Sequence, residues 1–302
     1  MSADISYIVN PSAGNCQAAD KWKQFCRNSG IQFSESHFTN GRDDISSKSI
    51  DAVKRKVQKL VICGGDGTLH QALQSLMSSA DTDKLPQIVF LPGGTGCDFA
   101  RAFDIPSDFD QWTNILKFKK SQLVDLGKIK WQSSEIAYFA TQAAVGITAT
   151  IGLDANKFRS RVFNPLKYTL YSLKHINTYN SIDYKVTGFA DEIAGKFLTL
   201  LVANSAFSGN GVNTVPNASA TDGILDLLTI KDIPLLRRYK SFIDLKLARH
   251  TELPEVNIRT CADIIKISTN TTVPWVVDGE IYYSNDAEFS VLKHALEFIT
   301  PH

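Results

Sequence analysis

The sequence lacks most of the devices that hold small, metal-dependent or membrane-spanning proteins together. Its five cysteines, at 16, 26, 63, 97 and 261, form no Cys-x-x-Cys pair. An odd, scattered set fits a reduced, cytoplasmic setting better than a disulfide framework. None of its six histidines stands at metal-ligand spacing from another His or Cys, which argues against a His/Cys zinc site. A net charge of +1 gives no electrostatic footprint for nucleic acid. The opening residues carry no signal-peptide pattern, and no apolar run approaches the roughly 20 residues of a spanning helix. Internal repeats and low-complexity tracts are missing as well. What is left is a globular composition, 43% hydrophobic and 21% charged over 302 residues, enough for one large or two ordinary domains.

The most informative stretch is residues 59–77. An apolar, β-branched run, Lys59-Leu60-Val61-Ile62-Cys63, leads into Gly64-Gly65-Asp66-Gly67-Thr68. Apolar residues then recur at 69, 72, 73, 76 and 77, the spacing of a buried helix face. The pattern predicts a strand, a tight glycine turn and a helix N-terminus, where backbone N–H groups and the helix dipole favour an anion. It is not a P-loop, because no Gly-Lys-Ser/Thr follows, and His70 replaces the third glycine of a dinucleotide fingerprint. A bare carboxylate at Asp66 repels phosphate unless a metal or a donor intervenes. An Asp-Gly turn capping a core helix therefore stands beside the nucleotide reading.

Around this stretch strands, loops and helices alternate. A strand over 5–9 ends in the turn-rich loop 10–15, followed by a helix over 17–28 and a strand over 31–37. Residues 39–44 read as a loop and helix start, with Asp43 and Asp44 suited to its positive end. A further strand, 87–91, leads to the glycine-rich loop 92–98 and a short helix, 99–103, which Pro106 terminates. Four such repeats predict a parallel sheet with helices on both faces and a ligand beyond the carboxyl ends of its strands. After about residue 120 the pattern changes to short alternating runs at 123–131, 136–145, 184–187, 197–203, 225–230, 264–268, 274–277 and 281–291. Those predict an antiparallel sandwich or barrel. Helical stretches at 165–176 and 235–249 interrupt it, and Leu236, Phe242, Leu245 and Leu247 of the second read as core in preference to lipid contact.

Several loops together carry a family resemblance. Gly64-Gly65-Asp66-Gly67-Thr68 resembles the signature shared by diacylglycerol kinases, sphingosine kinases, NAD kinases and phosphofructokinases. Asn10-Pro11-Ser12-Ala13-Gly14 resembles the Asn-Pro-x-x-Gly loop that opens the lipid kinases of this group, and residues 95–101 (Thr-Gly-Cys-Asp-Phe-Ala-Arg) resemble their Gly-Thr-x-Asn-Asp-Phe-Ala-Arg segment. Asn204, Gly209-Asn210-Gly211, residues 216–226 and Asp278-Gly279-Glu280 follow in the same order and at compatible spacing. As a set they are specific to bacterial-type diacylglycerol kinases, although the chain has His70, Gln71, Cys97, Gln142 and Thr148 where that family has Asn, Glu, Asn, Asn and Asp.

The resemblance implies an α/β plus all-β fold. A doubly wound parallel-sheet domain would occupy 1–122, with 290–302 packing back on it, and a β-sandwich domain 123–289. It implies an ATP- and Mg²⁺-dependent lipid kinase that phosphorylates a lipid alcohol, most plausibly diacylglycerol, at a membrane surface. An NAD kinase-like enzyme and a decayed kinase acting as a nucleotide or lipid sensor are the rivals. Nucleotide contacts would come from Asn10, Pro11, Gly14, Thr39, Gly64, Gly65, Asp66, Gly67, Thr68, Leu69, His70, Gly94, Thr95, Asp98 and Arg101. Physically, Asn10 and Thr39 offer neutral hydrogen bonds at strand ends, and Thr95 a hydroxyl for phosphate or ribose. Asp98 also suits a helix N-cap. Arg101 and Lys167 are cations suited to a phosphate or a lipid head. Asp222 would ligate Mg²⁺ with the carbonyls of Ser219 and Ile224, a hard-oxygen set; the alternative is an ordinary Asp-Gly turn. Asp278 and Glu280 would supply the base and its supporter, or else only a hairpin turn. A homodimer is the open assembly, with transient membrane association from the cytoplasm.

Overall fold

The computed structural model describes residues 5–79, 85–108, 111–113, 120–157 and 166–301. The chain divides into two compact units, residues 1–125 with 294–302, and residues 126–293. The chain passes from one unit to the other within the strands Ser121–Lys130 and Glu280–Ile299.

The first unit runs β1 (Ile5–Val9), α1 (Ala13–Cys16), α2 (Ala18–Ser29), β2 (Ser36–Phe38), α3 (Arg42–Lys54), β3 (Lys59–Gly64), α4 (Asp66–Met77), β4 (Gln87–Pro92) and α5 (Asp98–Ala102). These strands pair in parallel in the order β2-β1-β3-β4, and Phe298 of the chain's last strand lies beside Ile88 of β4. Leu60 to Cys63 and Ile88 to Leu91 are fully buried, as expected of a parallel sheet covered on both faces. The connection from β1 to β2 runs one way along the sheet, and those through α3 and α4 run the other way. With right-handed crossovers this puts α2 on one face and α3 with α4 on the other. The reversal lies between β1 and β3, where open α/β sheets bind ligands. The strand expected over 31–37 is shorter than its sequence predicts. It is an edge strand with only β1 to pair with, preceded by a 3₁₀ turn at Phe33–Glu35 whose Phe33 ring lies 4.9 Å from that of Phe38.

The second unit is built on antiparallel strands: the distal part of β5 (Ser121–Lys130), β6 (Ile136–Phe139), β7 (Gln142–Gly146), then α6 (Ile147–Lys157) and α7 (Leu166–Thr178). Next come β8 (Ile182–Thr187), β9 (Ile193–Ala203), β10 (Phe207–Ser208), β11 (Val212–Asn213), β12 (Leu225–Lys231) and α8 (Leu235–Lys246). The strands β13 (Val256–Cys261), β14 (Ile265–Val277) and β15 (Glu280–Ile299) complete the chain. The strand order is β13-β12-β9-β7-β14-β15, with β8 on β9 and β14, and β5 on β6 and β15.

Alternation along β9 faces two cores. Phe197, Leu200 and Val202 join Trp131, Trp275 and Phe289 in one, while Leu198, Leu201 and Ala203 join Ile147 and Ile176 in the other. Helix α8 lies over the second core through half-buried Tyr239 and Phe242. The helix ends at Lys246, and of the four residues expected in the core Leu236 is 84% and Leu247 55% exposed, with Phe242 and Leu245 half-buried. The second core takes only one flank of the helix, because Ser241 and Asp244, not the leucines, form its buried side.

Candidate active site

The glycine loops of the first unit approach one another at backbone distance. A Cβ on Gly94 would stand 2.5 Å from the Gly65 Cα, and one on Gly14, at φ +59°, 2.2 Å from the Gly93 carbonyl oxygen. The N–H groups of Gly93 and Gly94 both donate to the Gly64 carbonyl, at 2.8 and 3.1 Å. Gly64 in turn leaves room for Thr68, whose Oγ1 would be 2.5 Å from a Cβ there. That hydroxyl accepts a 2.8 Å hydrogen bond from Asn10 Nδ2, which ties the end of β1 to the first turn of α4 across the switch point. Asn10 Oδ1 accepts from the Ser12 N–H at 3.0 Å, which shapes the turn that carries half-buried Pro11. Gly14, Gly65 and Gly94 are thus brought together by main-chain packing, and Asn10, Gly64 and Thr68 by the Thr68 side chain.

The remaining residues of that set are placed less uniformly. Asp66 is the first residue of α4, and Gly67 is exposed beside it. Leu69 and His70 are 2% and 3% exposed, so their side chains belong to the core, and the Thr68 and Leu69 N–H groups are spent on the Gly65 carbonyl. Thr39 is buried at the end of β2, with its N–H on the Val9 carbonyl at 2.9 Å. Thr95 is exposed, and Arg101, also exposed, donates Nε to the Gly96 carbonyl at 3.2 Å. Asp98 is buried as the first residue of α5; the cap position, expected for Asp98, falls to Cys97 at φ +50°. Burial and the charge of Asp66 push the Cys97 thiol up to about 12, which keeps it neutral and unreactive. The side chain of Lys167 lies outside the described residues.

In the second unit Asp278 sits at φ +45° in the turn between β14 and β15. Its Oδ2 accepts the Ala140 N–H at 2.7 Å, and its Oδ1 accepts the N–H groups of Thr141 and Gln142, each at 3.0 Å, and the Thr141 hydroxyl. Four donors on one carboxylate fix the 140–142 loop to the turn. Asn204 secures the same loop, donating Nδ2 to the Ala140 carbonyl and its N–H to that of Thr141. Residues 140–142 give no local sign of this role, since they lie more than a hundred positions from Asp278. Glu280, half-buried, is the first residue of β15, opposite Val277.

Asp222 is exposed, and its Oδ1 accepts the Ile224 N–H at 3.0 Å across Gly223, at φ +72°. Ser219 Oγ lies 3.0 Å from the Thr221 hydroxyl. Asp226, 5% exposed on β12, is raised to about 6 by burial and by the charge of Asp222. Among the described residues no three His, Cys, Asp or Glu side chains converge. A hard cation that keeps several waters needs only one or two carboxylates with carbonyl oxygens. Asp222 and Asp226, two carboxylates near one turn with Lys293 also beside Gly223, are the oxygen donors available there for such an ion.

The two units match two family descriptions. Residues 4–129 match the diacylglycerol kinase catalytic domain, and residues 141–300 match the YegS C-terminal NAD kinase beta sandwich-like domain. The chain belongs to the diacylglycerol kinase-like family of lipid kinases. Among its relatives, a diacylglycerol kinase of Staphylococcus carnosus (strain TM300) is 25% identical over 87% of this chain and 83% of its own length. A diacylglycerol kinase of Mycobacterium tuberculosis (strain CDC 1551 / Oshkosh) is 26% identical over 83% of this chain and 79% of its own. A crystal structure of a diacylglycerol kinase from Bacillus anthracis str. Sterne superposes with a TM-score of 0.73 at 17% identity, covering 99% and 97% of the two chains, and so shares the fold.

This lipid kinase departs from the family pattern at five positions. His70 and Cys97 are buried, and the positive φ at Cys97 is one that Asn, the family residue, tolerates well. Gln71 Nε2 donates to Ser46 Oγ at 2.8 Å, and Thr148 Oγ1 accepts from Thr199 Oγ1 at 3.0 Å. Gln142 donates its amide to Ser208 Oγ and accepts from Thr214 Oγ1.

Proposed function

We propose that this lipid kinase transfers the γ-phosphoryl group of ATP to the hydroxyl of diacylglycerol, giving phosphatidic acid, in a Mg²⁺-dependent reaction at the cytoplasmic membrane surface. The observation that carries the reading is the convergence of Gly14, Gly65 and Gly94 at the switch point. Backbone stripped of Cβ atoms and a helix N-terminus let phosphate oxygens approach closely. Asn10, Thr39, Thr68 and Thr95 supply neutral hydrogen-bond groups for the nucleotide, and Arg101 a cation for its phosphates. Pro11, Asp66, Leu69, His70 and Asp98 shape those loops rather than offering side-chain donors. Mg²⁺ supplies charge neutralisation when bound, and Asp222 with the carbonyls of Ser219 and Ile224 would hold an ion of that kind.

The acceptor hydroxyl needs a base as the phosphoryl group leaves ATP. Asp278 and Glu280 are the pair that supplies it. Asp278 already accepts from four donors and anchors the turn, so Glu280 takes the proton.

The test is a panel of lipid alcohols and, separately, NAD, each offered with radiolabelled ATP and Mg²⁺. Label appearing in phosphatidic acid from diacylglycerol supports the proposal. Label in NADP only, or nucleotide binding without transfer to any acceptor, overturns it.

A further inference from the structure

Helix α8 is anchored to its unit by one side only. Ser241 and Asp244 are buried, Tyr239 and Phe242 pack on the second core, and Arg237 and Arg238 are held by Glu255 and Asp232. The opposite side is apolar. Leu236, Ile243 and Leu247 are 84%, 56% and 55% exposed. At 100° per residue these three, spaced by seven and four, fall within about 40° of one another on the helix circumference. Lys246 and Lys240 fall on either side of that stripe, both exposed and neither with a carboxylate partner among the described residues, and the Lys246 ammonium rests 5.7 Å from the centroid of the Phe242 ring at the helix flank. Leu235, 44% exposed, adds to the edge that Lys246 borders.

We infer that the outward face of α8 is the element by which this kinase docks on an anionic phospholipid bilayer. The inference rests on the reading that its substrate is a membrane lipid, and it adds which surface meets the membrane. An aliphatic stripe bounded by long cationic side chains is the pattern of a helix lying in the membrane interface. The stripe enters the acyl boundary while the lysines reach the anionic head groups. Three aliphatic side chains on a convex helix supply far less than the roughly 800 Å² per partner of a standard protein interface. That area, and a charge set suited to anionic lipid, favour a bilayer over a second copy of the chain. No helix among the described residues is long and apolar enough to cross a membrane, so contact has to be made by a surface of this kind.

The test uses the full chain and sedimentation with vesicles of phosphatidylglycerol and phosphatidylcholine in equal parts, or of phosphatidylcholine alone. Wild type is expected to bind the mixed vesicles and to bind neutral ones weakly. Leu236→Ser with Ile243→Ser and Leu247→Ser should weaken binding roughly tenfold for each aliphatic side chain removed. Lys240→Glu with Lys246→Glu should weaken it at least tenfold and abolish the preference for anionic lipid. Should the triple variant fold poorly, Leu236→Trp in otherwise wild-type protein adds an indole whose emission should shift to the blue on mixed vesicles.

Binding that survives the triple substitution overturns the assignment, as does an emission spectrum of the Leu236→Trp variant that vesicles leave unchanged. A wild-type dimer that the triple variant dissolves would give the stripe to a second copy and also overturn it. Activity separates the two readings. On a short-chain diacylglycerol dispersed as monomers the triple variant should match wild type. If wild type fails there the kinase reading fails, while the vesicle result stands by itself.

Discussion

In the first unit the loops at the strand ends come together because side chains are missing; in the second, a carboxylate is fixed because donors are present. Gly65 and Gly94 touch through main chain alone, and any added carbon meets backbone. Asp278 is gripped by three amides and a hydroxyl from one loop. A site made by removal leaves its backbone open to close approach. A site made by saturation has spent its acceptor capacity, and on the proposal above the proton then passes to the neighbour, Glu280.

The largest effect expected of this contrast is on Glu280. Glu280→Gln should lower the phosphoryl-transfer rate by about two to four orders of magnitude, the usual worth of a general base, with ATP affinity and melting temperature near wild type. Single-turnover kinetics with a thermal melt would check this. A variant that keeps its rate returns the base to Asp278 or removes it from the turn.

Next in size is the glycine contact. Gly94→Ala forces a Cβ onto the Gly65 backbone and should cost about 1–3 kcal/mol of stability with at least a tenfold loss of ATP affinity, read by calorimetry. Gly67→Val, at an exposed position, should lower ATP affinity while the melting temperature stays close to wild type. Equal affinity in both variants would dissolve the contrast by showing that the loops hold no nucleotide.

Asp278→Asn sharpens the other half. It sets an amide N–H₂ against backbone N–H donors and should cost about 1–3 kcal/mol, seen as a lower midpoint in denaturant unfolding. Any loss of rate should scale with loss of fold, unlike that of Glu280→Gln.

The smallest effect concerns Asp154 on α6, held down to about 2 by hydrogen bonds from Lys174, His175 and Lys157. Its folded-state pKa is depressed, so its contribution is present above the ordinary carboxylate range and is lost as pH falls through about 2. Asp154→Asn should therefore melt a few degrees lower at neutral pH, and the gap should close between about pH 4 and 2. A gap that does not change with pH would mean the charge contributes nothing there.

Residues 59–77 by themselves fixed a strand, a glycine turn and a helix, because apolar spacing and glycine conformational freedom act within a few positions. The same holds for β4 and the loop after it, and for the alternating run of β12. The order β2-β1-β3-β4, and with it the switch point, was set by which strands pair across the chain. The Asp278 clasp was equally unreadable, since its donors stand 136 to 138 residues away and are mostly backbone, which every residue type supplies. Helix α8 shows the limit from the other side. Its periodicity promised an apolar face and a core to receive it, but hydrophobic spacing records only that residues share a side of a helix. Whether that side meets protein or solvent depends on what the rest of the chain brings against it, and here the tertiary structure covered the side of Ser241 and Asp244 and left Leu236, Ile243 and Leu247 outside.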